Sequence, residues 1–451
     1  MCGIFLTDEP HTRKPRIARD RDSALAFVQT FSDDVFKNHF RVTRETFNEI
    51  VSRMITVYPG KQGSGILNYE RALLRGKCST PCSGATTLEL KLCVTLRLLA
   101  GASHCDMIWF GVQTGSVHNI FHSTLKLINA AYPNEEIFNF NPEGDKVKFE
   151  EEVERMSNEW ASIMQAKRGH RFFEGTILAG DGLVVPIKAP TSFDRKGGDI
   201  GMYRNRKGCF ALIVAAFCDA FCRFRYFEVS WPGSTNDITA YQQTNLYRMF
   251  TKAMIPTKYH MVLDEAYGGI GGEFHLTPFT RSQLRKARRE SVTKYKKMKS
   301  FNHFLSSQRI TIERCFGMFV RKFGILWKTL DYSLSTNTLI LQVCAKLHNL
   351  CINHWMKAGD RATEIQKIDN DFRLQNDARI FTNTTSGRER NTVDDVRKKV
   401  LGMSNSNDTE DRPLASARRW EIAEDLYDKG IRYDTRADND FTLTDANDVF
   451  I

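Results

Sequence analysis

The sequence predicts an α+β fold, in which a mixed β-sheet covered by helices follows an all-helical segment. Three patterns carry this expectation. Apolar residues recur at helical spacing in segments between Ser23 and Ile128. Short runs rich in β-branched and aromatic residues then mark strands: TILAGDGLVVPI from Thr176, CFALIVAAFCDAFCRFRYFEVS from Cys209 and YHMVLD from Tyr259. Beyond them, ITIERCFGMFVRKFGILW and TNTLILQVCAKLHNLCINHW read as long buried helices.

A chain of 451 residues exceeds one typical domain, and 41% hydrophobic content is enough for at least two modest cores. The expected organisation is an N-terminal helical domain over 1–140 and a connector helix over 141–165. A sheet-bearing domain over 166–357 and a polar, acidic, largely disordered tail over 358–451 complete it. The net charge of +11 favours an acidic partner, with nucleic acid ahead of an anionic membrane surface. From Leu401 to Ile451 there are 12 acidic and 6 basic residues, a balance of −6 that leaves +17 on the rest. The polyanion-binding surface therefore belongs to the body of the chain, and the tail opposes it.

The 11 cysteines fall mostly inside apolar runs, where a free thiol behaves as a small hydrophobe, and a reducing compartment is expected. The pairs Cys78/Cys82 and Cys218/Cys222 have a gap that zinc sites sometimes use, but neither has a second ligand pair at convincing spacing. No apolar stretch approaches the ~20 residues of a membrane-spanning helix. The opening MCGIF matches the start of enzymes that use Cys2 as an N-terminal nucleophile, yet the charged, turn-rich DEPHTRKPRIARDRD that follows is wrong for that fold.

Taken in order, Phe36, Phe40, Phe47, Ile50, Val51 and Met54 are spaced for one buried helical face, with Thr43 as an N-cap. A Gly, Ser and Lys-rich loop is expected over 59–85. TTLELKLCVTLRLLAGAS is helical and closed by Gly101. HCDMIWFG, VQTG and SVHNIFHSTLKLI then give the outline of a helix-turn-helix, with Ser116, His118, Asn119 and His122 on the candidate recognition helix. That second helix carries little positive charge.

In the sheet-bearing part, Asp219 and Ala220 mark a hairpin turn, and PGSTNDITAYQQTNLYRMF reads as a helix opened by Asn236 or Asp237. Hairpin strands early and a later strand reached through a helix describe the layout of an RNase H-like sheet rather than a doubly wound one. In the tail, ASARRWEIAEDLYDKG is an amphipathic helix with no assigned role.

Three carboxylates sit where apolar context does not ask for them. Asp181 and Asp264 lie at the ends of strands, and Glu313 lies in a helix among Ile310, Ile312 and Phe316. Burying an ionised carboxylate costs several kcal/mol unless something neutralises it. Either arginines do so, and Arg309 and Arg314 flank Glu313, or the three hold a hard divalent cation. Two such ions about 4 Å apart suit phosphodiester cleavage. The run RSQLRKARRESVTKYKKMK has nine basic residues, Arg281, Arg285, Lys286, Arg288, Arg289, Lys294, Lys296, Lys297 and Lys299. Lying between two candidate metal ligands, it is placed to hold phosphates, or to serve as a nuclear-localisation segment.

The motifs AGDGLVVPI, WPGSTNDITAY, VLDEAYGG with HLTPF, ERCFGMFVRKFGIL and CAKLHNLCI, in that order, resemble the PIF/Harbinger superfamily of DDE transposases and their domesticated nuclease relatives. RVTRETFNEIV and LRLLAGASHCDMIWFGVQTGSVHNI resemble that superfamily's N-terminal helical part. The resemblance implies an RNase H-like core and a triad of Asp181, Asp264 and Glu313 binding Mg²⁺ or Mn²⁺, two ions in all. It makes Asp237 a supporting motif residue. It further implies DNA cleavage and strand joining, a Myb-like partner that assists DNA binding and nuclear entry, and assembly as a homo-oligomer on DNA. A domesticated, catalytically silent DNA-binding or adaptor protein is the alternative. Leu263 departs from the glycine that relatives often place before the second aspartate, and the long acidic tail has no counterpart in the pattern.

Overall fold

The computed structural model describes residues 21–58, 86–358 apart from 193, 195–197, 271 and 272, and 417–431. The MCGIF opening, the expected loop over 59–85, Cys78 and Cys82, and most of the tail lie outside the described residues. The chain divides into two compact units, the first comprising Met1–Leu98 and Ala102–Leu127, the second Leu99–Gly101 and Ile128–Ile451.

The first unit is helical: α1 (Arg21–Gln29), α2 (Asp33–Phe40), α3 (Arg44–Val57), most of α4 (Leu88–Leu99) and the first part of α5 (Thr114–Ala131). Thr43 caps α3 by accepting the Thr46 N–H at 3.2 Å, as its sequence predicts. Phe36, Phe40, Phe47, Ile50, Val51 and Met54 are buried together with much of α4. The segment before α5 is not an α-helix. His104–Phe110 is a 3₁₀ helix, fixed at its start by a Ser103–Asp106 capping box and at its end by Gly111 at φ +65°. Tight local caps at both ends of seven residues leave no room for a regular α-helical repeat.

The second unit continues with α6 (Asn134–Phe138) and α7 (Lys146–Arg168), then the sheet strands β1 (Thr176–Pro186), β2 (Ala211–Cys218), β3 (Phe224–Pro232), β4 (His260–Val262) and β5 (His275–Leu276). The sheet order is β3-β2-β1-β4-β5, antiparallel among the first three strands and parallel from β1 through β4 to β5. The expected mixed sheet is thus present. Helix α7 lies along β1, where the Trp160 indole donates to the Ile177 carbonyl at 3.0 Å. The β2–β3 connection turns at Asp219, whose carboxylate accepts the Phe221 and Arg223 N–H groups.

The single helix expected after Gly233 is two, α8 (Asp237–Gln242) and α9 (Asn245–Thr251), because Thr244 takes extended backbone and caps Tyr247 at 3.0 Å. Their apolar faces, with Tyr241, Leu246 and Phe250, join Ile177, Phe217 and Met261 in one core. The basic run forms α10 (Arg281–Glu290) and the start of α11 (Val292–Lys322), separated by Ser291, which is extended and caps the second helix. Helix α12 (Leu334–Ala358) packs on β3, and α13 (Ala417–Asp428) packs on α11.

A carboxylate cluster beside β1 and β4 as candidate active site

Strand register brings the first two acids together. Ala179 on β1 pairs with Val262 on the parallel neighbour β4, and Asp181 and Asp264 each lie two residues further on. Parallel strands run about 4.8 Å apart, so the two aspartates stand at the same level; Asp264 follows the end of β4, but Asp181 lies inside β1, paired with Ala216 on β2, and not at a strand end as its apolar run suggested. Asp264 is held by its own helical turn, its carboxylate accepting the Glu265 N–H at 2.7 Å, and Asp181 accepts the Gly182 N–H at 2.8 Å.

A third acid reaches the same place from α8. Asp237 is the first residue of that helix, behind the Asn236 cap. A Cβ placed on Gly182 would come within 2.2 Å of Asp237 Oδ1, so the Asp237 carboxylate occupies the space that only a glycine at 182 leaves open. Burial, then Asp264 and Asp237, hold the Asp181 carboxyl well above its usual range, against the Arg309 cation and the Gly182 N–H. Burial and Asp264 likewise raise Asp237, against Arg206. Tyr267, buried beneath the cluster, has its phenol pushed up by burial and by the same three aspartates.

Glu313 stands differently. Four residues along α11 from Arg309, it takes an ion pair from that guanidinium, Nη1 to Oε1, at 2.6 Å. Burial works against the Arg309 cation, but Glu313, Asp264 and Asp181 together raise its pKa. Arg309 is therefore the positive charge between the aspartates and the glutamate. Among the described residues no three acids, histidines or cysteines are drawn together closely enough to hold one metal ion.

The structure thus joins Asp181, Asp264 and Asp237 directly and ties Glu313 to them through Arg309. Sequence reasoning named Arg309 only as a flanking charge and did not single out Gly182 or Arg206. The four-residue spacing of Arg309 and Glu313 was a usable signal for the first, whereas Arg206 has none in its local pattern.

The other candidates lie on other elements or further along α11. Arg285, Lys286, Arg288 and Arg289 are exposed on α10. Lys294 and Lys297 are half-buried and Lys296 is exposed on α11, the helix that also carries Glu313. At 1.5 Å per residue, Lys294 is roughly 28 Å from Glu313 along that axis. Ser116, His118 and Asn119 are exposed on α5 and His122 is half-buried. Cys218 and Cys222 are buried free thiols beside the β2–β3 turn. No helix of the described residues is long and apolar enough to cross a membrane.

Part of the chain matches known proteins. Residues 180–349 match the family described as DDE superfamily endonuclease. The protein named "Putative nuclease HARBI1" from Bos taurus is 29% identical over 185 residues, covering 40% of this chain and 47% of that protein. The proteins of that name from Rattus norvegicus and Homo sapiens are 28% identical over the same length and shares. The match thus spans less than half the length of these curated relatives. No solved structure matches the chain. The match to the DDE superfamily endonuclease family and the likeness to these nucleases agree with the PIF/Harbinger resemblance read from the motifs.

Proposed function

We propose that the second unit is a divalent-metal-dependent DNA endonuclease of transposase origin, on an RNase H-like core, with Asp181, Asp264 and Glu313 as its catalytic, metal-holding acids. The observation that carries this reading is the convergence of Asp181 within β1, Asp264 just past β4 and Asp237 at the start of α8, where burial and then the neighbouring aspartates raise Asp181 and Asp237. A fold keeps like charges together at a cost, and a cation repays it.

The donor set suits Mg²⁺ or Mn²⁺, which take carboxylate oxygens, and Arg309 already supplies a positive charge between the acids. Asp181 within β1 and Asp264 just past β4 would hold the ions, and Glu313 would join them on release from Arg309. When bound, such ions activate the attacking oxygen and stabilise the leaving oxygen of a phosphodiester. The protein's own groups do the rest. Gly182 admits the Asp237 carboxylate beside Asp181, and the Asp264 turn fixes its side chain. The exposed basic residues of α10 and α11 hold the DNA backbone. At about 3.4 Å per base pair, the roughly 28 Å from Lys294 to Glu313 corresponds to some eight base pairs of duplex. Strand joining, nuclear location, self-assembly on DNA and a Myb-like partner follow as part of the same proposal, from the kinship and not from geometry.

One observation favours a second reading. The Arg309–Glu313 pair neutralises the third acid, as expected of a domesticated protein that binds DNA without cutting it. Nicking of a labelled duplex in Mg²⁺ separates the two. Intact protein that nicks at least ~100-fold faster than Asp264→Asn supports the enzyme. Equal cleavage by both, or none by either, overturns it.

A further inference from the structure

Helix α13, from the otherwise acidic tail, is built into the second unit. Arg419, Ile422, Ala423 and Leu426 recur at helical spacing and are buried, so one face of the helix is anchored. Arg419 is the anchor's polar part. Its Nη1 donates to the carbonyl and hydroxyl of Thr277, both at 3.1 Å, and to the Pro278 carbonyl at 3.2 Å, while its guanidinium lies 4.6 Å above the Phe279 ring. Trp420 packs on the same Phe279 at 5.2 Å.

The rim of this contact engages the basic run. Lys297 Nζ pairs with Glu424 at 3.5 Å and lies 5.4 Å over the Tyr427 ring. Lys294 Nζ lies 5.6 Å over Trp420. Glu421, Glu424, Asp425 and Asp428 make the helix acidic beyond its anchored arginine and Arg418, which pairs with Glu421. Exposed ion pairs and single cation–π contacts are weak, so phosphates can displace them; the anchor behind them is not weak.

We propose that α13 is an intramolecular competitor for nucleic acid: it occupies the Lys294–Lys297 face of α11 and withholds those two lysines from DNA phosphates. This rests on the reading of the basic run as a phosphate-binding surface. DNA that reaches this face must exchange with the acidic rim of α13, so affinity is set lower than the charge of α10 and α11 alone would give.

The test is the affinity of full-length protein for a labelled DNA duplex in EDTA, measured across a salt series. Arg419→Ala with Trp420→Ala frees the helix, and Glu424→Gln with Tyr427→Leu frees Lys297 while keeping the anchor. The first variant is expected to bind about 5- to 30-fold tighter, with a log–log salt slope steeper by up to about two, and the second a fraction of that. Acetylation of Lys294 and Lys297, read by mass spectrometry, should quicken in step. Unchanged or weaker binding by both variants, or tighter binding without quicker acetylation, overturns the proposal. Lys286→Glu with Arg289→Glu on α10 checks the underlying reading. If it fails to weaken binding, the phosphate-binding surface is elsewhere and both ideas fall. If it weakens binding while the α13 variants bind no tighter, only the competitor falls.

Discussion

Two clusters of carboxylates in the second unit are treated in opposite ways. At the β2–β3 turn, Asp219 is fully buried, yet it accepts Arg223 Nε at 2.7 Å and Arg225 Nε at 2.9 Å besides two backbone N–H groups. Burial opposes its charge, but Arg223 and Arg225 outweigh burial and hold the carboxyl below its usual range. Glu152 joins through Arg225 at 2.9 Å and through Arg155, so α7 is tied to the turn. Only Glu159, at the edge of this network, is raised, by burial and by Asp219. Beside β1 and β4 the balance is reversed, with Asp181 and Asp237 both raised and Arg309 paired with Glu313. The acids that brace the β2–β3 turn are matched with arginine, and those beside β1 and β4 are under-matched, a pattern met more often at functional sites than in structural networks.

The widest separation between the two clusters is in stability. Asp219→Asn leaves Arg223 and Arg225 without their shared carboxylate, and a cost of about 3–5 kcal/mol is expected in urea unfolding. Asp181→Asn removes one of several repelling charges, so its midpoint should stay level or rise. A fall for Asp181→Asn as large as for Asp219→Asn would erase the distinction between them.

The crowding of Asp237 against Gly182 gives the next effect. Gly182→Ala is expected to cost about 1–3 kcal/mol, because the new methyl meets the Asp237 carboxylate. Adding Asp237→Ala removes the obstructing oxygens and should restore most of the loss, a coupling that a double-mutant cycle measures directly. Additive losses would place Asp237 away from Asp181.

Arg309 tests how far the acidic cluster depends on its one close cation. Arg309→Met is expected to cost about 1–2 kcal/mol without divalent ions, less than Asp219→Asn because Glu313 keeps contact with water. A neutral outcome would show that the cluster needs no cation to fold.

How much of this was legible in sequence differs between the clusters as well. The strands, the Asp219 turn and the Thr43 cap follow from local rules that the chain obeys. Asp181 and Asp264 stood out because a charge at the end of an apolar run has no local reason. The resemblance assigned Asp237 a supporting role, and its closeness to Gly182 depends on how α8, packed on β2, reaches β1, which no short pattern encodes. The break at Thr244 and the 3₁₀ form of His104–Phe110 were missed because caps inside a periodic run compete with periodicity. For α13 the sequence offered a docking element or a weak terminal helix, and the surface it docks on was not legible, because its partners, Thr277 to Phe279 and Lys297, are more than a hundred residues away in sequence.

Acid sensitivity gives the smallest step, per pH unit, and it sharpens the comparison by asking which groups fail first. His260 and His348 are both fully buried, and burial lowers each to about 3, with Arg418 and Lys322 respectively adding to the effect. Their neutral forms are built in: His260 Nε2 meets the Thr176 hydroxyl at 2.8 Å, and His348 Nε2 meets the Cys222 carbonyl at 2.8 Å. Because the unfolded chain protonates these rings near 6.5 and the folded one near 3, their stabilising contribution is complete above 6.5. It is lost as pH falls from there, by up to about 1.4 kcal/mol per pH unit for each ring. Asp219, with a folded pKa below its usual 3.8, keeps its contribution until the pH falls below that value. Between pH 7 and 4.5 the two imidazoles lower the unfolding free energy while the raised Asp181 and Asp237 carboxyls oppose them, so any decline should lessen or turn to a rise in His260→Gln, and Asp219→Asn should leave the slope unchanged. A slope that vanished in Asp219→Asn would mean that the arginine-matched acid, not the imidazoles, sets the acid limit of the fold.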